Sequence, residues 1–168
     1  MRSPGSPVNS TSRQSSTDPL ALAVGLALIG LGVTQAAIGL WAVVSPRGWF
    51  GQFPGFASHW LADYGPYNEH LAFDVGTAYI AQAVLLLGAA ATMHQRLVIW
   101  ALVSYAVQSV PHAIFHWIHD GVLGSGDRLL NGILVGLTVV VPAIALVAAR
   151  LSRPLGARRV MTSTNPER

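Results

Sequence analysis

The residues best suited to chemistry fall in two short stretches, 67–74 (YNEHLAFD) and 111–120 (PHAIFHWIHD). If the second stretch is helical, His112, His116 and His119 share about a 60° arc of one face at 100° per residue. In the first, His70 and Asp74 stand one turn apart on one face, with Tyr67 a turn earlier and Glu69 on the flank. Neutral imidazole and carboxylate bind Zn, Fe, Mn or Cu(II) where no thiolate competes, and imidazole also exchanges protons near neutral pH. Cysteine is absent, which excludes disulfides, thiolate metal sites, iron-sulfur clusters and Cys nucleophiles. There is no G-x-S-x-G, no phosphate-cradling Gly-rich loop after a strand and no H-E-x-x-H.

These residues need a scaffold, and composition says which kind. Of 168 residues, 52% are hydrophobic and 10% charged, with a mean hydropathy of +0.48. A soluble domain carries about 25% charged residues, so the chain reads as all-α, an integral membrane four-helix bundle. Four apolar runs, 20–44, 68–93, 97–118 and 128–149, are each about long enough to span hydrocarbon. Asp18-Pro19 supplies an N-cap and a first-position proline for the first span, which is too long for the hydrophobic region of a secretory signal. Pro111 removes the bond to the Val107 carbonyl and should kink the third span. Segment 45–67 is rich in Trp, Phe, Tyr, Gly and Pro, a composition that favours the headgroup region. Residues 1–18, rich in Ser, Pro, Gly and Thr, read as a disordered cytoplasmic tail, and 151–168 as a basic cytoplasmic tail, leaving 19–150 as the bundle.

Orientation follows from arginine, because Lys and Arg favour cytoplasmic flanks. The sequence has no Lys and ten Arg. Arg2, Arg13, Arg96, Arg150, Arg153, Arg158, Arg159 and Arg168 lie in the tails and the second loop; only Arg47 and Arg128 lie in the first and third loops. Both termini are therefore expected in the cytoplasm and the aromatic loop outside. The pI near 10 is accounted for by this topology and calls for no nucleic acid. Small residues (Gly25, Gly30, Gly32 and Gly39; Ala78, Ala81, Gly88 and Ala89; Gly132 and Gly136) let spans approach closely. Gln35, Gln82 and Gln108, each near mid-span, are expected to bond to one another across helices.

Topology brings the two chemical stretches to one level. The second span enters from outside and the third exits there, so Asp74 and His112 each lie roughly 6 to 10 Å below the outer surface at 1.5 Å per residue. The expected site is His70, Asp74, His112, His116 and His119, with Tyr67, Glu69, Asp120, Asp127 and Asn131 as surrounding hydrogen-bond partners or proton carriers. His59 and Asp63 hang in the loop above, and His94 belongs to the opposite side. Ionisable groups inside a span are costly unless partnered, and three readings account for them. The first is a divalent transition metal site (Zn, Fe, Cu or Mn) built from His and carboxylate on bundle helices, with a haem on His70 and His112 as a less supported variant. The second is a metal-free proton relay or quinone site, and the third a polar network that holds helices together. The first two describe a protein acting on a lipid, quinone or small substrate at the outer face. The third describes a non-catalytic accessory subunit docking a membrane partner or a second copy.

The motif pair N-x-H-L-x-x-D-V-G (Asn68, His70, Leu71, Asp74, Val75, Gly76) and P-H-x-x-F-H-x-x-H (Pro111, His112, Phe115, His116, His119) resembles that of a group of small actinobacterial four-span membrane proteins. The resemblance covers about residues 20 to 150 and implies the fold and a membrane location, without an activity. Hydropathy along the chain is also similar to DoxX-like four-helix proteins, some of which are subunits of quinone-linked oxidoreductases; no DoxX functional residue matches here. His112-x-x-x-His116 is similar to one histidine box of membrane desaturases, but those enzymes use several boxes and this chain has six His in all.

Overall fold

The computed structural model describes residues 18–56 and 58–152. The expected tails therefore lie outside the described residues, apart from their innermost positions. Among the described residues six helices follow in order: α1 (Pro19–Val44), α2 (Pro46–Gln52), α3 (Trp60–Tyr64), α4 (Glu69–Thr92), α5 (Gln95–His119) and α6 (Ser125–Leu151), with a 3-10 turn, Asp120–Val122, before the last. Four of them, α1, α4, α5 with its turn, and α6, are long and apolar enough to cross a membrane. They pack in the cyclic order α1, α4, α5, α6, the four-helix bundle of a multi-pass membrane protein.

Local chemistry sets the helix ends. The Asp18 carboxylate accepts from Leu20 N–H at 3.0 Å ahead of Pro19, and the Asn68 side-chain oxygen accepts from Leu71 N–H at 3.1 Å to open α4. Met93, in the left-handed region at φ 47°, ends α4, and α5 begins two residues later. That helix runs through Pro111 without interruption. The loop expected after it is shorter, because α6 already starts at Ser125.

At the end of the bundle that carries residues 18 and 152, Val24, Leu28, Leu86, Val98 and Leu102 form a closed aliphatic core. Outside it, Leu22, Leu26, Ile29, Val33 and Leu40 of α1 are exposed, the surface a lipid solvent requires. Toward the other end, α1 and α4 come into backbone contact. A Cβ on Gly39 would lie 2.7 Å from the Gly76 carbonyl oxygen, and one on Gly76 2.9 Å from the Gly39 oxygen. Small residues do bring helices together here, but not all those expected: Ala78 and Ala81 are exposed, and a Cβ on Gly30, Gly88 or Gly132 would meet nothing within 4 Å. The glycine contact sets the rotation of α4. Ala72, Gly76 and Ala83 turn inward, so His70 and Asp74, about 160° and 200° round from Ala72, lie on the opposite face.

Of the mid-span amides, Gln35 donates to Gln108 Oε1 at 3.3 Å. Gln82 bonds elsewhere, accepting from the Ser104 hydroxyl at 2.9 Å and donating to the Ala101 carbonyl at 3.3 Å.

Candidate ligand pocket

Segment 45–68 folds over one end of the bundle as two short helices, and aromatic packing holds it there. Trp49 and Trp60 are buried. Trp49 meets Phe53 edge-on at 6.1 Å, Phe50 meets Tyr67 at 5.4 Å, and the Arg47 guanidinium lies 5.0 Å over the Tyr67 ring. Two side-chain bonds fasten this roof to the outgoing helices. The Ser58 hydroxyl donates to Asp127 Oδ1 at 3.3 Å, and Tyr64 OH lies 3.1 Å from His116 Nδ1.

His116 is the hub of this arrangement. Its Nδ1 is also 3.3 Å from the Asn131 amide nitrogen, and Asn131 is buried on α6. An amide nitrogen can only donate, so the single Nδ1 lone pair is shared between Asn131 and the Tyr64 hydroxyl, which puts the ring proton on Nε2. Three elements thus hold one imidazole. The His112 ring meets it at 4.4 Å, edge to face. Burial pushes the Tyr64 phenol above its ordinary value, with the Asp120 and Asp63 charges adding to the rise, so it stays a donor through the neutral range.

Between the roof and the first turns of α4 lies a pocket of about 440 Å³. Trp49, Phe50, Tyr64 and Tyr79 form aromatic walls; Leu61, Leu71 and Val75 are its aliphatic lining; Asn68, Gln108 and His112 supply the polar atoms. Gln108 and His112 are one turn apart on α5, so a single helix face carries both.

The expected site residues are thus divided. His112 lines the pocket and His116 stands behind it, bonded to Asn131. His119 turns back to its own helix, with Nδ1 2.9 Å from the Phe115 carbonyl and its ring stacked on Phe115 at 4.3 Å. His70 and Asp74 pair with each other at 3.3 Å, their side chains 88% and 58% exposed, away from the pocket. Asp120 pairs with Arg128 at 3.8 Å, Asp127 holds Ser58, Tyr67 packs in the roof, and Glu69 is exposed in the first turn of α4. Among the described residues, no group of three or more His, Asp or Glu is arranged to hold a metal ion. Tyr64, Tyr79 and Trp49 line the pocket but lie outside the expected set of ligands and their hydrogen-bond partners. Their signal was weak, because each is one aromatic among many in an apolar chain.

Comparisons with family models, with curated proteins and with solved structures found no match for the chain.

Proposed function

We propose that this protein binds a small amphipathic molecule, drawn from the bilayer, in the pocket beneath the aromatic roof. The carrying observation is the pocket itself: about 440 Å³, mostly apolar, with Asn68, Gln108 and His112 in its wall. Such a volume with a few convergent polar groups is the usual form of a small-molecule site. His112 is the ligand-facing hydrogen-bonding group, and His116, held by Tyr64 and Asn131, fixes its neighbour. The Arg count supports placing this end outside and both termini in the cytoplasm, so the ligand comes from the outer leaflet: a lipid, a quinone or a small oxidisable substrate. The test is mass spectrometry of small molecules that co-purify with the protein in mild detergent. A bound species retained by wild type and lost from the pocket-filling variants Leu71→Trp and Val75→Phe supports the reading. Identical extracts from all three refute it and favour a non-catalytic accessory role in which the polar groups only hold helices together.

A second reading rests on the His112 and His116 rings at 4.4 Å with the Tyr64 hydroxyl beside them. A metal would have to take the His116 Nδ1 lone pair from Asn131 and Tyr64, and with His112 that gives an imidazole pair of the kind that binds Zn, Cu or Fe. Metal content above that of a His112→Ala, His116→Ala double variant would establish it.

A further inference from the structure

We infer that the pocket takes an uncharged ring bearing hydroxyl or carbonyl oxygens, of the quinol or quinone class, with an apolar tail leaving past Leu71. This rests on the ligand-binding reading above and narrows it. No Asp, Glu, Lys or Arg lines the pocket. The two arginines of the roofed end are engaged elsewhere, Arg47 over Tyr67 and Arg128 with Asp120. A phosphate head would therefore enter an apolar cavity without a counter-charge, which is strongly unfavourable. A neutral head has no such penalty.

The walls argue for a ring. Trp49 and Phe50 from α2, Tyr64 from α3 and Tyr79 from α4 all border the space, and aromatic faces and edges pack on a flat ring better than on an acyl chain. The polar atoms argue for oxygens on that ring. Gln108 already accepts from Gln35 through Oε1, and with the Tyr79 hydroxyl beside its amide one N–H is left to donate. Imidazole at His112 gives or receives a proton bond according to tautomer, so it suits a carbonyl and a hydroxyl alike. At the rim Leu71 is 59% exposed, which provides a way out for a tail between pocket and lipid.

The probe is a labelled decyl-substituted benzoquinone, titrated onto the full-length protein in detergent micelles, with phosphatidylglycerol and dioleoylglycerol as competitors. Expected is saturable binding at one site per chain, unaffected by either lipid, abolished in Val75→Phe and weakened about five- to tenfold in His112→Leu, the loss of one hydrogen bond. If a lipid displaces the probe, or binds wild type in its place and is lost in Val75→Phe, the pocket is a ligand site but the ring class is wrong. If neither probe nor lipids bind wild type more than Val75→Phe, both this inference and the ligand-binding reading fall. Circular dichroism of each variant confirms that the bundle is intact.

Discussion

A single methyl group at the crossing of α1 and α4 should be enough to push the bundle apart. The Cβ of Gly39→Ala would lie 2.7 Å from the Gly76 oxygen and 3.0 Å from Ile80 N, and that of Gly76→Ala 2.9 Å from the Gly39 oxygen. Relaxed carbon-oxygen contacts lie near 3.3–3.6 Å, so the helices must separate by roughly 0.4 to 0.9 Å. Backbone atoms cannot rotate aside as a side chain can. Overpacking of this kind costs about 1–3 kcal/mol, and each variant should lose that much stability in reversible unfolding by SDS in mixed micelles. Gly30→Ala and Gly88→Ala are the controls, because an added Cβ meets nothing within 4 Å at either site; they should be neutral or stabilising by up to about 1 kcal/mol through helix propensity. The double variant Gly39→Ala, Gly76→Ala should cost less than the sum of the two, since one separation relieves both contacts. Ala72 and Val75, on the same stretch of α4, line the pocket, so probe binding should weaken in parallel. If Gly39→Ala and Gly76→Ala are as stable as the two controls, the close crossing is wrong, and with it the rotation of α4 that turns His70 and Asp74 away.

Tyr64→Phe removes the hydroxyl on His116, about 0.5–1.5 kcal/mol of local stability, and should raise amide exchange across 46–66 while leaving the middle of α4 unchanged; equal exchange would mean the bond does not hold the roof. Because burial, then Asp120 and Asp63, raise the Tyr64 phenol above 10.0, its contribution is complete below pH 10 and is lost as pH climbs through the higher folded-state value. Alkaline spectrophotometric titration of Tyr64→Phe should show one phenol fewer in the late-titrating fraction; a phenol lost from the ordinary range instead would contradict it. His70→Ala with Asp74→Ala removes an exposed pair worth about 0–1 kcal/mol, so stability and pocket binding should barely change; loss of the bound ligand would return these two residues to the site. Single cysteines at Ser3, Ser58 and Ser163, treated with an impermeant thiol reagent on intact cells, should label at Ser58 alone, and labelling at either tail would reverse the orientation.

The helical framework was legible because lipid imposes it. Runs of some twenty apolar residues can only be spanning helices once every backbone group must bond internally, and Asp18-Pro19 marked the first start to the residue. The helices run beyond the apolar runs 97–118 and 128–149, since polar ends such as Gln95 and Ser125 still continue a helix. Half of the candidate site was also legible: the one-turn spacing of His112 and His116 put both rings together, and Asn131 was placed at their level. His70 and Asp74 were correctly paired on one face, but depth along an axis says nothing of rotation about it. That rotation was decided by Gly39 and Gly76, and a sequence offers many glycines without saying which two will touch. The pocket was out of reach for a related reason, because it is the gap left where Trp49, Tyr64 and Tyr79 from three separate elements fail to fill the space beside His112.

The closed aliphatic packing of Val24, Leu28, Leu86, Val98 and Leu102 makes the bundle a cup with a sealed base. From Gln95 to Tyr105 along α5 is roughly 15 Å of helix at 1.5 Å per residue, about half a bilayer's hydrocarbon, and buried side chains fill the core beside it. The pocket lined by His112 lies at the other, roofed end. Under the proposed ligand binding, oriented vesicles should therefore take up ligand from the roofed side alone.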